Sequence, residues 1–130
     1  MWSPDSQHLA VCSYQSSVIE ILPVGTTGDA ANATIELATA LEGHTNNIVD
    51  LSWNTKNGRI ASASIDGTAK IWDPVTGEAA LTLTLPVREP LQVVAWSPNG
   101  ERLLTVSETG VFVIWDASEG YAEERLRELK

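Results

Sequence analysis

A chain of 130 residues with 17 acidic and 8 basic side chains carries a formal net charge of −9. That balance disfavours nonspecific binding to nucleic acid or to an anionic membrane, and no window approaches the roughly 18 uninterrupted apolar residues of a membrane-spanning helix. The lone Cys12 cannot form an internal disulfide, which is compatible with a reducing compartment.

The first residues, Met1-Trp2-Ser3-Pro4-Asp5, have neither the basic start nor the apolar stretch of a signal peptide. Residues 8–14 and 18–22 read as strands. His8, at the start of the first, reads as a solvated surface residue, and Cys12 as a small core hydrophobe rather than a nucleophile. Residues 25–34 are small and turn-prone, and read as an insertion that enlarges the turn before an outer strand at 34–41. Asn32-Ala33-Thr34 matches a glycosylation acceptor pattern by chance.

The middle third is the most regular stretch. Residues 48–53 form its first strand, followed by a turn around Asn57-Gly58, a strong hairpin signal. Residues 59–64 and 68–72 form the next hairpin, closed by Asp66-Gly67, and 79–85 the outermost strand. The last third repeats the order at 91–96, 102–107 and 111–115. Val111-Phe112-Val113-Ile114-Trp115 is apolar at every position, as for a strand covered on both faces. Residues 121–130 have helix-forming composition, yet fall where an outer strand is due; the apolar part is read as strand.

Two of these segments superpose without a gap. Trp53 to Trp72 and Trp96 to Trp115 each span 19 positions, and the copies lie 43 residues apart. A period near 43 is what a repeat architecture looks like in sequence, and a four-stranded unit of ~40–45 residues is one solution. Trp2 aligns with Trp53 and Trp96 at a longer spacing of 51, attributed to the insertion at 25–34. The chain is therefore expected to start inside a unit, without the strand preceding Trp2. Both clean copies end in Trp-Asp, and the first is preceded by Gly43-His44.

These features strongly resemble the WD-repeat family of β-propellers. The resemblance implies an all-β fold of four-stranded antiparallel WD40-type blades, here an incomplete ring, since closed propellers need about 4–8 blades. The expected units are a partial blade at 1–41, a complete blade at 42–86, and a third blade at 87–130 with a degenerate polar set. It also implies a hydrogen-bonded structural tetrad in the middle unit: His44, Ser62 (with Ser64 as near alternative), Asp66 and Trp72. In the third unit Val87 and Thr109 replace His44 and Asp66, while Thr105 and Trp115 remain; in the first, Ile21 stands where Trp72 would be.

No Gly-x-Ser-x-Gly, phosphate loop or metal-ligand spacing is present, so no catalytic residue, metal or cofactor is expected. The resemblance implies a non-catalytic protein–protein interaction scaffold, expected in the cytoplasm with the nucleus left open. The alternative is a regulatory propeller region of a larger signalling protein or enzyme whose catalytic part lies elsewhere. A protein partner is expected at the rim formed by the loops before each first strand and the turns between second and third strands. Asn46, Asn47, Ile65, Arg88, Glu89 and Glu108 are its candidate contacts. Neither nucleic acid nor membrane is expected as a partner, and exposed blade faces suggest self-association.

Overall fold

Short apolar runs punctuated by Gly, Pro, Asn and Asp give strands joined by tight turns, and no helix occurs among the described residues. The computed structural model describes residues 1–24, 40–85 and 89–117, with the backbone of 127–129. The first sheet holds β1 (His8–Cys12), β2 (Ile19–Pro23) and β3 (Ala40–Leu41). The second holds β4 (Ile48–Trp53), β5 (Ile60–Ser64), β6 (Thr68–Trp72) and β7 (Ala79–Thr84). The third holds β8 (Leu91–Trp96), β9 (Arg102–Ser107), β10 (Phe112–Asp116) and β11 (Arg127–Leu129). Within each sheet the strands lie in sequence order, and all pairs are antiparallel. The architecture is all-β and open, as for part of a propeller.

The sheets stack face to face over two apolar seams. Ile19, Ile21 and Leu41 of the first sheet meet Ile60 and Trp72 of the second. Ala61, Ala63, Ala69 and Ile71, on the other face of the second, meet Val94, Leu103, Val113 and Trp115 of the third. The middle sheet is thus covered on both sides, and all five residues of β5 are buried. The three alanines leave room for the bulky side chains opposite, as close packing requires.

A polar seam runs beside the second apolar one. Alternate residues of β4 and the following turn point the same way and reach the third sheet. Asp50 Oδ2 accepts from the Val94 N–H (3.0 Å), Ser52 Oγ from the Trp96 N–H (2.9 Å), and Asn54 Nδ2 donates to the Gly100 carbonyl (3.0 Å). A register shift between Ile48 and Asp50 recurs between Leu91 and Val93, so the repeat period extends to the irregularities.

The structure differs from the sequence reading at several points. His8 is buried rather than solvated, at 7 % exposure, because β1 turns it toward the second sheet's turns. The first strand ends at Cys12, leaving Tyr14 outside it and exposed. Leu22, not Ile21, occupies the position of Trp72: Leu22 pairs with Leu9 as Trp72 pairs with Ile60. The turn between β1 and β2 is one residue longer in register than its counterpart, which a gapless alignment misses. Val113 and Trp115 of β10 are buried, but Phe112 is 66 % exposed, so that strand is covered on one face only. The insertion at 25–34 and most of the expected strand at 34–41 lie outside the described residues.

Gly100 has φ +73° in the turn before β9, and a Cβ there would come within 2.4 Å of Asn54 Oδ1 and 2.7 Å of Lys56 Cβ. Gly110 has φ +89° but open space around it. Gly110→Ala is expected to cost only the left-handed strain, about 1–2 kcal/mol. Gly100→Ala adds a steric conflict with the Asn54 bridge and is expected to cost clearly more. Urea unfolding midpoints of the two variants decide; equal shifts would show that Asn54 yields without loss.

Candidate functional site

The hairpin β5–β6 and the loop before β4 converge at one end of the second sheet. β5 places Ser62 on the same face as Ile60, β6 ends on Trp72, and the hairpin turn carries Asp66. The structure brings His44, Ser62, Asp66 and Trp72 together. Trp72 Nε1 donates to Ser62 Oγ (2.8 Å), Ser62 Oγ lies 2.6 Å from His44 Nε2, and His44 Nδ1 lies 2.8 Å from Asp66 Oδ2. The His44 and Trp72 rings meet edge to face at 5.9 Å between centroids.

Donor counting assigns the protons. Trp72 can only donate, so Ser62 Oγ accepts from it and is free to donate its own hydrogen to Nε2. Nδ1 then carries the imidazole proton and donates to the carboxylate, leaving His44 neutral. Burial holds the His44 pKa below the ordinary histidine value, outweighing the upward pull of the Asp66 hydrogen bond and charge. Burial alone would raise the Asp66 pKa. Hydrogen bonds from the Thr68 hydroxyl, His44, and the Thr68 and Thr45 N–H groups reverse that and hold it below the usual carboxylate range.

Asp66 therefore does more than hold His44. It accepts from the Thr45 N–H (3.1 Å), the Thr68 N–H (2.8 Å) and the Thr68 hydroxyl (2.6 Å). Ser64, the near alternative for Ser62, is engaged elsewhere. Its hydroxyl faces the carbonyls of Asn46 (3.0 Å) and Asn47 (2.9 Å), while its oxygen accepts from the Asp66 N–H. The Ile65 N–H donates to the Asn47 carbonyl (2.9 Å). Turn and loop are thereby pinned to each other.

Around this end runs the candidate rim. Asn46 is exposed and Asn47 half-buried. Ile65 is half-buried rather than fully exposed, because the turn lies against the third sheet's entry loop. Ile65, Asp66, Gly67, Thr84, Glu89 and Pro90 border a groove of about 340 Å³. Glu108 is exposed and lies outside that lining; its N–H donates to the Pro90 carbonyl. Arg88 lies outside the described residues.

In the third unit Trp115 Nε1 donates to Thr105 Oγ1 (3.0 Å). Thr109, at the position of Asp66, donates instead to Glu89 Oε1 (2.6 Å). Hydroxyls of Ser107 and Thr109 hold the Glu89 carboxyl below its ordinary pKa. Sequence reading missed the Thr109–Glu89 bond, the clamps from Thr45 and Thr68, and the Asp50–Ser52–Asn54 seam. A Thr two positions after an Asp in a turn is a signal for the Thr68 contact; the others join residues distant in sequence and leave no local mark.

Ser, His and Asp in line invite comparison with a hydrolytic triad. Ser62 is wholly buried and its oxygen already accepts from an indole, so it faces no substrate space. Among the described residues no group of three or more His, Cys, Asp or Glu side chains is placed to hold a metal, and no helix is long and apolar enough to cross a membrane.

The sequence profile described as "WD domain, G-beta repeat" matches residues 35–73 and 84–116, together more than half of the chain. Among similar proteins, DNA damage-binding protein 2 of Mus musculus is 39 % identical over 62 residues, 46 % of this chain and 14 % of that protein. Nuclear distribution protein PAC1 of Ajellomyces capsulatus (strain H143) is 37 % identical over 66 % of this chain and 19 % of its own length. F-box-like/WD repeat-containing protein TBL1X of Homo sapiens is 28 % identical over 95 % of this chain and 22 % of its own. The chain thus spans less than a quarter of these relatives.

Asp66→Ala removes the acceptor of four donors and is expected to cost about 1–3 kcal/mol. Thr109→Ala, which faces no histidine, is expected to cost clearly less. Chemical denaturation of both variants is the measurement, and equal losses would count against a stabilising role for the His44–Asp66 pair. A pH dependence follows as well. The folded-state pKa of His44 lies below its unfolded value of about 6.5, so the unfolded chain binds the proton first as pH falls. The His44 contribution to stability is present above about pH 6.5 and declines below it. Asp66, lowered from 3.8, acts only in the acid range near and below that value. Stability is expected to drop between pH 7.5 and 5.5, and His44→Asn is expected to flatten that slope; an unchanged slope would overturn the neutral assignment.

Proposed function

Because this chain belongs to the WD-repeat family, we propose that it acts as a non-catalytic scaffold that holds a protein partner on the rim of its blades. Three sheets favour dividing it into units at 1–41, 42–86 and 87–130. The observation that carries the reading is the pinning of two loops at one place. Asp66 and Ser64 hold the loop of Asn46 and Asn47 against the turn of Ile65, so a binding surface is presented without the entropy of ordering it. Ile65 gives that surface an apolar centre, beside a groove bordered by Glu89.

Charge narrows the partner. Asp66, Glu89 and Glu108 lie at this end of a chain of net charge −9, a setting that favours a protein carrying basic or neutral polar groups over the phosphates of nucleic acid. Relatives named for DNA damage binding and for nuclear distribution support a nuclear or cytoplasmic setting.

Ile65→Ser and Glu89→Lys are each expected to weaken capture of a protein partner at least fivefold, with a cooperative thermal transition retained. The assay is affinity capture followed by titration of the recovered partner. If both variants bind like the parent, the rim is not the partner surface.

The outer faces of the stack supply a separate expectation. Phe112 is 66 % exposed beside half-buried Leu104, Val106 and Ile114 on one outer face; Trp2 and Leu22 are 55 % and 46 % exposed at the other end. Apolar area of this kind favours association. Light scattering behind a sizing column is expected to return more than the 14.0 kDa of one chain, and Phe112→Glu is expected to shift the mass toward it. A sharp 14.0 kDa peak for the parent chain would show that these faces do not self-associate.

A further inference from the structure

Each of the three sheets ends in an outer strand, β3, β7 or β11. A strand at an edge offers its outward N–H and C=O groups to any chain that can pair with them, and short length, charge or proline discourages such pairing. β3 holds two residues, and β11 carries Arg127 and Glu128 within three. β7 has none of these protections. It runs for six residues, and positions 79–85 include no charged side chain and no proline. A register shift disturbs it only at its start, between the Trp72–Ala79 and Ile71–Leu81 pairs, and Glu78 lies beyond that shift. Among the described residues no strand pairs with its far side.

We propose that β7 is a self-pairing edge, which binds β7 of a second copy of this chain antiparallel across a two-fold axis and joins the two middle sheets into one. Charge and side-chain pattern select a second copy as the occupant. The chain carries a net charge of −9, so two copies repel, and an uncharged stretch lets two backbones approach without setting carboxylates against each other. Leu81 and Leu83 are buried in the seam with the third sheet, while Thr82 and Thr84, on the opposite side of the strand, are exposed. A two-fold axis normal to the sheet keeps like faces on one side. Every antiparallel register that sets Leu opposite Leu therefore also sets Thr opposite Thr, a favourable cross-strand pair. The same patch serves both copies, as a closed dimer requires. Lys70, one strand in, does not oppose this. Its Nζ donates to Thr82 Oγ1 (2.9 Å), and the two ammonium groups would stand about three strand spacings apart, roughly 14 Å, where salt screens them. This edge is separate from the rim and from the outer face around Phe112.

The test is light scattering behind a sizing column on the Phe112→Glu chain, which takes the third sheet's outer face out of play, at increasing protein concentration. The mass is expected to rise from 14.0 kDa toward twice that value. Hydrogen exchange read by NMR is expected to slow in step at alternate β7 amides and to stay constant in β3. Thr82→Lys and Thr84→Lys together set like charges opposite each other across the joint and are expected to weaken association at least tenfold. Tyr14→Lys, at a residue 93 % exposed in the turn between β1 and β2, is expected to leave it unchanged. A mass that stays at 14.0 kDa, β7 amides that exchange equally fast at every concentration, or full association in the lysine variant would each overturn the proposal. The exchange measurement uses an unaltered β7, so its outcome does not depend on how the lysine variant folds.

Discussion

One carboxylate organises the middle sheet. Asp66 collects four donors, from His44, from the Thr45 backbone, and from both the backbone and hydroxyl of Thr68. Through His44 its influence passes to Ser62 and then to the indole of Trp72 at the far end of β6. A charge this enclosed is tolerated only when its lone pairs are filled. The same bonds that satisfy Asp66 fix where the loop before β4 must run. Core and rim are for that reason one construction: the polar chain that lets the indole sit in the core also positions the loops offered to a partner.

The two seams divide the remaining work. Apolar contacts hold the sheets together but say little about their offset, since hydrophobic burial is not directional. The offset is set by Asp50, Ser52 and Asn54, which reach main-chain groups of the next sheet. Corresponding positions one period later hold Val93, Ala95 and Ser97, so the third sheet does not carry the same polar address toward its outer side. Its outer face is marked instead by Phe112 and its half-buried neighbours. Where two units share a seam the repeat is specific, and where a face is uncovered it is merely sticky.

The third unit shows what happens when the polar chain is dropped. Thr105 still takes the indole hydrogen of Trp115, which removes the most costly unsatisfied donor. With no Asp in the turn, Thr109 binds Glu89 instead, and the turn is tied to an exposed carboxylate rather than a buried one. Exposed bonds of that kind are worth less, because water competes for both partners. Both turns keep a backbone tie to the loop beside them, Ile65 N–H to the Asn47 carbonyl and Glu108 N–H to the Pro90 carbonyl; only the first adds the Asp66 network.

The repeat, the strand order and the family are legible in the residues alone. All three are local: a Trp-to-Trp spacing of 19, turn residues that allow few backbone conformations, and alternation that selects strands. The four residues of the polar chain in the middle unit could also be named from the sequence, through the family likeness and not from periodicity. Tertiary structure alone decided which faces are covered. His8 looked like a solvated strand start, yet it is buried, because only the packed neighbour reveals what lies over a strand's end. Leu22 rather than Ile21 holds the place of Trp72, because register is set by hydrogen-bonded pairing across the sheet and a single additional turn residue shifts it. Val111 to Trp115 read as covered on both sides, yet one side is open, since an apolar residue records what could be buried and not what is. The Asp50–Ser52–Asn54 seam joins residues 44 to 46 positions apart, and contacts at that distance exist only once the sheets have stacked.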